Sequence, residues 1–229
     1  MKPRLLDLFC GAGGAAMGYH RAGFEVVGVD LRPQPNYPFE FVQRDALEVL
    51  DLLVKGEWGM LTRDLRMVGF DAIHASPPCQ RWSSKTRDPE AHPDLITPLR
   101  PLLEATGLPY VIENVPGAPL NDAMRLCGSS FGLGVRRHRL FESNVPLKAP
   151  MCGHWRQPRR YRLYDHGKWY MSPVVHVFGT GGGKGREHWQ DAMGIDWTND
   201  TNELREAIPP AYTELIGHQL MQHIQAAAA

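Results

Sequence analysis

The 229-residue sequence lacks a net charge: 25 Lys and Arg balance 25 Asp and Glu. No overall basic balance advertises a polyanionic partner, so any contact with nucleic acid has to come from local clustering. Cysteine is scarce as well. Cys10, Cys79, Cys127 and Cys152 lie far apart and form no CxxC pair, which argues against a disulfide framework and suits reduced thiols. No stretch approaches the ~18 uncharged residues of a membrane span. Met1-Lys2-Pro3-Arg4 runs straight into a strand-like segment, with no apolar signal region. There is no internal repeat. These absences lead us to expect a cytoplasmic protein that works as a monomer, away from membranes. The 43% hydrophobic content supplies one sizeable core with a small lobe attached.

What is present is an alternation of short apolar runs and helical patterns. Residues 4–9 form an expected first strand, Cys10-Gly11-Ala12-Gly13-Gly14 a glycine turn, 15–22 a helix stopped by Gly23, and 24–29 a second strand ending at Asp30. Further strands are expected at 39–43, 71–75 and 109–112, and helices at 46–54, 56–67, 95–106 (Pro98 and Pro101 near its first turn) and 121–127. Alternation of this kind predicts an α/β fold with a doubly wound, mostly parallel, Rossmann-like sheet. From Ser143 the composition changes to prolines, arginines and aromatics with poor periodicity. We therefore divide the chain into a catalytic and cofactor-binding region (1–142), a small irregular recognition lobe (143–185) and C-terminal helices returning to the first region (186–229). Within these, 174–178 is an expected strand, 179–185 a glycine linker, 189–193 and 211–224 helices, and the closing alanines a tail.

The glycine turn fits the loose GxGxxA pattern, with an acidic residue at the end of the next strand about 20 positions on. Glycines let backbone approach a ligand, and Asp30 can accept both hydroxyls of a ribose. Taken alone, this says an adenosine-containing cofactor, or merely a tight turn. The second candidate is Ala75-Ser76-Pro77-Pro78-Cys79-Gln80-Arg81-Trp82-Ser83. Two prolines end the strand and present Cys79 at its carboxyl end, where open α/β sheets place their ligands. A lone cysteine would ordinarily be a small buried hydrophobe. The polar, basic segment 80–93 is too long for a simple strand-to-helix turn and is a candidate mobile loop.

These motifs together resemble those of the DNA cytosine-5 methyltransferases, in a short phage- or bacterial-type form. Asp7-Leu8-Phe9-Cys10-Gly11-Ala12-Gly13-Gly14 resembles the cofactor motif, Pro77-Pro78-Cys79-Gln80 the nucleophile motif, and Glu113-Asn114-Val115 the acid motif. Arg137-His138-Arg139 looks like the paired-arginine motif, and Ala207-Ile208-Pro209-Pro210 like part of the last one. They stand in the family's order across residues 7 to 210, most of the chain.

The resemblance implies S-adenosylmethionine as methyl donor. Phe9, Cys10, Gly11, Ala12, Gly13 and Gly14 would surround its methionine end and Asp30 its ribose, with Leu31 beside it. Asp45 would contact the adenine amino group, with Ala46 next to it, and Pro77 and Ile208 would line the pocket. It also implies catalysis on carbon 5 of cytosine in double-stranded DNA. Cys79 would add to carbon 6, since that carbon 5 is too weak a nucleophile unaided. Glu113 would protonate or hydrogen-bond ring nitrogen 3, Asn114 orient the base or the cysteine loop, and Arg139 hold the 2-carbonyl, with Arg137 placing Arg139 or Glu113. A cytosine stacked in the duplex cannot reach Cys79 and has to be flipped out. Arg81, Ser83, Lys85 and Arg87 are then available for phosphates, and Arg156, Arg159, Arg160 and Arg162, interleaved with aromatics, for the duplex. A restriction-modification setting is a natural one for such an enzyme.

The sequence departs from the family pattern where Val135 replaces a glutamine and Arg205-Glu206 replace Gly-Asn. The short lobe implies a two- to four-base recognition context. Other readings remain open: a nicotinamide oxidoreductase, a DNA-binding homologue with weak catalysis, or a methyltransferase of RNA or a free cytosine nucleotide. Cys152 and His154, with His166 or His176, match no standard zinc spacing, and no metal is expected.

Overall fold

A computed structural model describes residues 2–57, 69–178 and 185–227. The expected helix at 56–67 and most of the glycine linker lie outside the described residues. Five parallel strands form the centre: β1 (Arg4–Leu8), β2 (Glu25–Asp30), β3 (Glu40–Gln43), β4 (Ala72–Ala75) and β5 (Tyr110–Asn114). With the antiparallel β6 (Met124–Leu126) and β7 (Arg139–Ser143), they make one sheet in the order β3-β2-β1-β4-β5-β7-β6. β1 is paired on both sides, Leu5 with Val26 and Ala72, Leu8 with Val29 and Ala75. Its nearly continuous apolar run is what a strand covered on both faces requires.

Alternation along β1 sorts its side chains into two cores. Leu6 and Leu8 pack beneath α2 (Ala46–Lys55) and α3 (Ile96–Ala105). Leu5 packs beneath α1 (Gly14–Arg21) and α6 (Pro210–Ala227). α1 and α6 meet at glycines. A methyl on Gly18 would fall 2.1 Å from Thr213 Oγ1, and one on Gly217 2.6 Å from Ala22 Cβ. The strand order reverses at β1, so the crevice beyond the carboxyl ends of β1 and β4 is the place for a ligand.

A third core joins the antiparallel hairpin β8 (Tyr161–Asp165) and β9 (Lys168–Ser172) to α4 (Trp189–Met193) and α5 (Thr201–Glu206). It is built from Val135, Tyr161, Leu163, Val175, Val177, Trp189, Met193, Ile195 and Leu204. Ser143 completes β7, and Val145 sits in the α1–α6 core. α4 and α5 pack in this third core, and α6 packs against α1 and the sheet.

Other expectations are corrected by tertiary partners. Residues 121–127 form no helix, because Met124 and Leu126 pair with Phe141 and Arg139. Residues 174–178 keep the expected alternation, with Val175 and Val177 buried, but form no strand. Their backbone is bonded singly, the Val175 N–H to Gly134 O and the Val177 carbonyl by the Arg137 side chain. Pro101 lies inside α3 rather than in its first turn, and the alanine tail continues α6 as far as Ala227. No helix among the described residues is long and apolar enough to cross a membrane.

Candidate active site

The glycine turn leaves β1 through three residues of positive φ, Phe9 at 57°, Gly11 at 48° and Gly13 at 84°. Left-handed backbone is ordinary for glycine and costly for phenylalanine, so the turn is held by its surroundings. Cys10 N–H donates to Val29 O at 3.1 Å and Gly13 N–H to Cys10 O at 3.0 Å. A methyl on Gly14 would strike the Ile208 carbonyl at 2.4 Å, whereas one on Gly11 would meet nothing within 4 Å. The turn is therefore closed behind by the chain entering α6 and open in front of Gly11. Asp30 stands at that opening and accepts from Gly11 N–H (3.1 Å) and Arg32 N–H (2.9 Å). Ala12 is buried and accepts from the Trp197 indole at 2.8 Å. Asp7 is fully buried, and burial together with the charge of Asp30 raises its carboxyl well above the usual range. The same two influences, with Asp7 itself, raise the Cys10 thiol.

On the neighbouring strand end, Asn114 fastens the proline turn by donating Nδ2 to Pro77 O at 2.9 Å, while its Oδ1 accepts from Val115 N–H at 2.9 Å. Asn114 thereby ties the end of β5 to the loop that carries Cys79. Glu113, one residue earlier on β5, is buried, and loss of water raises its carboxyl above the ordinary value against the pull of Arg139 and Arg137. Arg139 Nε lies 3.0 Å from Glu113 Oε1. The contact is an ion pair off the line of a hydrogen bond, which leaves Oε1 without a hydrogen-bond donor among the described residues. Cys79 feels the same three groups. Burial raises its thiol, the two guanidinium groups lower it and Glu113 raises it.

Arg137 has a role of its own. Its guanidinium donates to Val177 O and Arg205 O, while its own carbonyl accepts from the Tyr212 hydroxyl. Burial brings its pKa down to about 9. It thus ties the lobe, α5 and α6 to the start of β7, and makes no hydrogen bond to Glu113 among the described residues. A group that sequence reasoning passed over lies under the acid. His74, buried on β4, contacts Tyr19 OH at 2.9 Å and Ser76 Oγ at 2.8 Å, and Ser76 hydrogen-bonds Glu113. Burial lowers the His74 pKa to about 3, so the ring is neutral. The signal in the sequence was a histidine in an apolar run, with two residues between it and Pro77.

The outer residues divide. Asp45 caps α2, accepting from Leu47 and Glu48 N–H, and Ala46 is buried as the first residue of that helix. Leu31 is 66% exposed beside Asp30, while Ile208 is buried. In the 80–93 segment, Arg81 pairs with Glu90 at 2.8 Å and Ser83 Oγ accepts from Lys85 N–H. The Lys85 ammonium lies over the exposed Phe178 ring at 5.5 Å, and Arg87 is exposed. In the lobe, Arg156 lies over Trp155 and Arg162 over Trp169, at 4.5 and 4.6 Å. Arg160 donates to Gly132 O, and Arg159 is exposed. Trp155, Tyr164 and Trp169 are all more than half exposed. Cys152 and His154 are joined by Cys127 and His138, rather than by His166 or His176. His166 instead pairs with Asp165, and His176 packs on Phe178.

The chain is 29% identical over 125 residues to the type II methyltransferase M.AgeI of Thalassovita gelatinovora, covering 50% of this chain and 28% of that protein. It is 32% identical over 87 residues to M.FnuDI of Fusobacterium nucleatum, covering 35% and 22%. The chain thus spans about a quarter of the length of these relatives. A prophage-encoded candidate DNA modification methyltransferase of E. coli superposes with a TM-score of 0.65 at 14% identity, over 98% of this chain and 100% of that one. The family model for C-5 cytosine-specific DNA methylases matches residues 3–119, just over half of the chain, and we conclude that the chain belongs to that family.

Proposed function

We propose that this chain methylates carbon 5 of cytosine in duplex DNA through a covalent adduct of Cys79, with S-adenosylmethionine as the donor that its family membership implies. The observation that carries the reading is the meeting of Cys79, Glu113 and Arg139 beyond β4, β5 and the start of β7, next to the open turn after β1. The turn fits the donor. Space is free in front of Gly11, an anionic Asp30 stands at its rim, and Leu31 offers an exposed apolar surface. Phe9, Cys10, Ala12, Gly13 and Gly14 shape the turn, and Pro77 and Ile208 close its sides. Asp45, which uses one oxygen to cap α2, keeps the other for the adenine amino group. When bound, the donor supplies an electrophilic methyl group on a sulfonium.

Burial raises the Cys79 thiol, and the guanidinium groups of Arg139 and Arg137 offset part of that rise. As its proton passes to solvent, the sulfur adds to carbon 6 of a flipped-out cytosine. It leaves again when carbon 5 gives up its own proton to water and the ring double bond is restored. Glu113, whose carboxyl burial raises above the ordinary value, is placed to donate a proton or a hydrogen bond to ring nitrogen 3, so that negative charge does not build up on the ring as sulfur adds. Arg139 holds the 2-carbonyl. Asn114 fixes the loop that carries the sulfur, and Arg137 fixes the backbone that carries Arg139. Arg81, Ser83, Lys85 and Arg87 border the entrance used by the base. Arg156, Arg159 and Arg162, set among exposed tryptophans, face the duplex, and Arg160 braces the lobe. Phosphate contacts of this kind position the protein on DNA without reading sequence.

Trapping with a duplex containing 5-fluorocytosine tests the reading. With donor present, the wild-type chain is expected to form a stable adduct, and Cys79→Ser to form none and to transfer no methyl group. Adduct formation on RNA or free nucleotide but not on DNA would move the substrate class. Its absence on all three, or its persistence in Cys79→Ser, would end the proposal.

A further inference from the structure

Two cysteines and two histidines that the methyl-transfer reading does not use come together at the root of the lobe. Cys127 directly follows β6, His138 directly precedes β7, and Cys152 and His154 lie in the chain leaving β7. Their spacing along the chain (ten, thirteen and one intervening residues) follows no familiar pattern. Yet one ligand atom from each falls within 4.8 Å of all the others. Cys127 Sγ lies 3.2 Å from His154 Nε2, and Cys152 Sγ 3.5 Å from His138 Nε2. A tetrahedral zinc with bonds of about 2.3 Å to sulfur and about 2.0 Å to nitrogen sets sulfur and nitrogen about 3.5 Å apart. The four donors are already near the vertices such an ion needs, and all four cysteines of the chain are free thiols.

We propose that Cys127, His138, Cys152 and His154 form a Cys2His2 site for a structural zinc ion that clamps the recognition lobe to the catalytic sheet. Two sulfurs and two imidazoles in a tetrahedral arrangement select zinc among the common divalent ions, and two thiolates neutralise its charge. With four protein donors the ion has no open position for substrate, which makes the site structural rather than catalytic. The surroundings support bound thiolate. Ser129 Oγ accepts from Gly153 N–H at 3.0 Å and lies 3.1 Å from Cys127 Sγ. Its hydroxyl proton is therefore available to donate to that sulfur, as supporting groups around a metal do. Ser130 Oγ donates to Met151 O at 2.9 Å, so the turn after β6 is already latched to the segment that carries Cys152 and His154.

The position explains what the ion would do. His138 stands between Arg137 and Arg139. Arg137 reaches into the lobe and α5, and Arg139 pairs with Glu113. An ion on His138 pins the backbone between them to the lobe, close to the acid, without touching the reacting atoms.

The test needs no catalytic activity. Full-length protein purified without a histidine tag is expected to carry about one zinc per chain by mass spectrometry of the metal. A mercurial reagent should release that zinc as it titrates the thiols. Refolding in cobalt(II) should give the intense visible bands of a tetrahedral thiolate complex, a readout that requires no variant. Cys152→Ser and His154→Ala should each lower metal content by more than about half, while His166→Ala leaves it unchanged. Folded wild-type protein that carries almost no zinc, and takes up neither zinc nor cobalt, would overturn the proposal and leave a metal-free cluster of hydrogen-bonded thiols and imidazoles. So would a Cys127–Cys152 disulfide in protein purified under reducing conditions, or full metal content in Cys152→Ser.

Discussion

The parallel sheet and the lobe beyond β7 hold themselves together by different means. The sheet buries both faces, with Leu6 and Leu8 under one pair of helices and Leu5 under the other. Its helices come close enough that glycines are needed where α1 meets α6. The lobe has a single small core around Leu163 and Trp189, and its hairpin exposes Tyr164, Trp169 and Tyr170. A stretch so poor in buried apolar surface depends on other fastenings. Those present are polar: Arg137 to Val177 O and Arg205 O, Arg160 to Gly132 O, and the thiol–imidazole cluster. The proposed chemistry puts its reacting groups at the ends of the sheet strands, while the exposed aromatic and basic face belongs to the smaller part.

The sharpest way to break the sheet side is Gly18→Val. Its added atoms would lie within about van der Waals overlap of Thr213 Oγ1 and the Pro210 carbonyl, both of which belong to the packed α6. We expect a loss of at least about 4 kcal/mol, or no folded protein, because backbone rather than a flexible side-chain end must give way. Chemical denaturation followed by circular dichroism measures it. The matching change in the lobe, Leu163→Ala, should cost about 2–4 kcal/mol. It should appear as a separate early transition in tryptophan fluorescence, with the sheet unfolding at its usual denaturant concentration. One shared transition at lower denaturant would mean that the lobe and the sheet fold as a unit.

The smallest expected effect concerns the buried relay beneath Glu113. His74 stays neutral in the folded protein down to about pH 3, whereas an unfolded histidine takes up a proton below about pH 6.5. Stability contributed by the neutral ring is therefore present above about pH 6.5 and is lost as the pH falls towards 3. The slope is at most about 1.4 kcal/mol per pH unit. Asp7 and Glu113, whose folded values are raised, act with the opposite sign and do so in both proteins. The difference in slope between wild type and His74→Gln, measured by urea unfolding between about pH 6 and pH 4, isolates the histidine. Equal slopes would show that the ring is protonated in the folded state.

Much of the sheet was legible because its signals are local. A buried strand declares itself by a run such as Leu5-Leu6, a turn by Gly11 and Gly13, and a strand end by Pro77-Pro78. The motif residues Cys79, Glu113 and Arg139 were legible through the order of their motifs, which resembles that of the cytosine-5 methyltransferases; taken alone, Cys79 would pass for a small buried hydrophobe. Errors gathered where a segment is defined by what it meets. Residues 121–127 look helical until β7 supplies a ladder, and 174–178 look like a strand although a side chain takes the place of a strand partner. His74 gave no sign of its relay, because Tyr19 is 55 positions away.

By itself, the sequence determined the alternation that builds a doubly wound sheet and the identity of the groups at its strand ends, since both depend on neighbours in the chain. Only the tertiary structure decided which residues the lobe gathers. Cys127, His138, Cys152 and His154 carry no periodic or spacing signal, and they become one cluster because β6, β7 and the chain beyond them converge at a single edge of the sheet. Local chemistry can be read along a line, but a constellation drawn from three separate segments exists only once the chain has closed on itself.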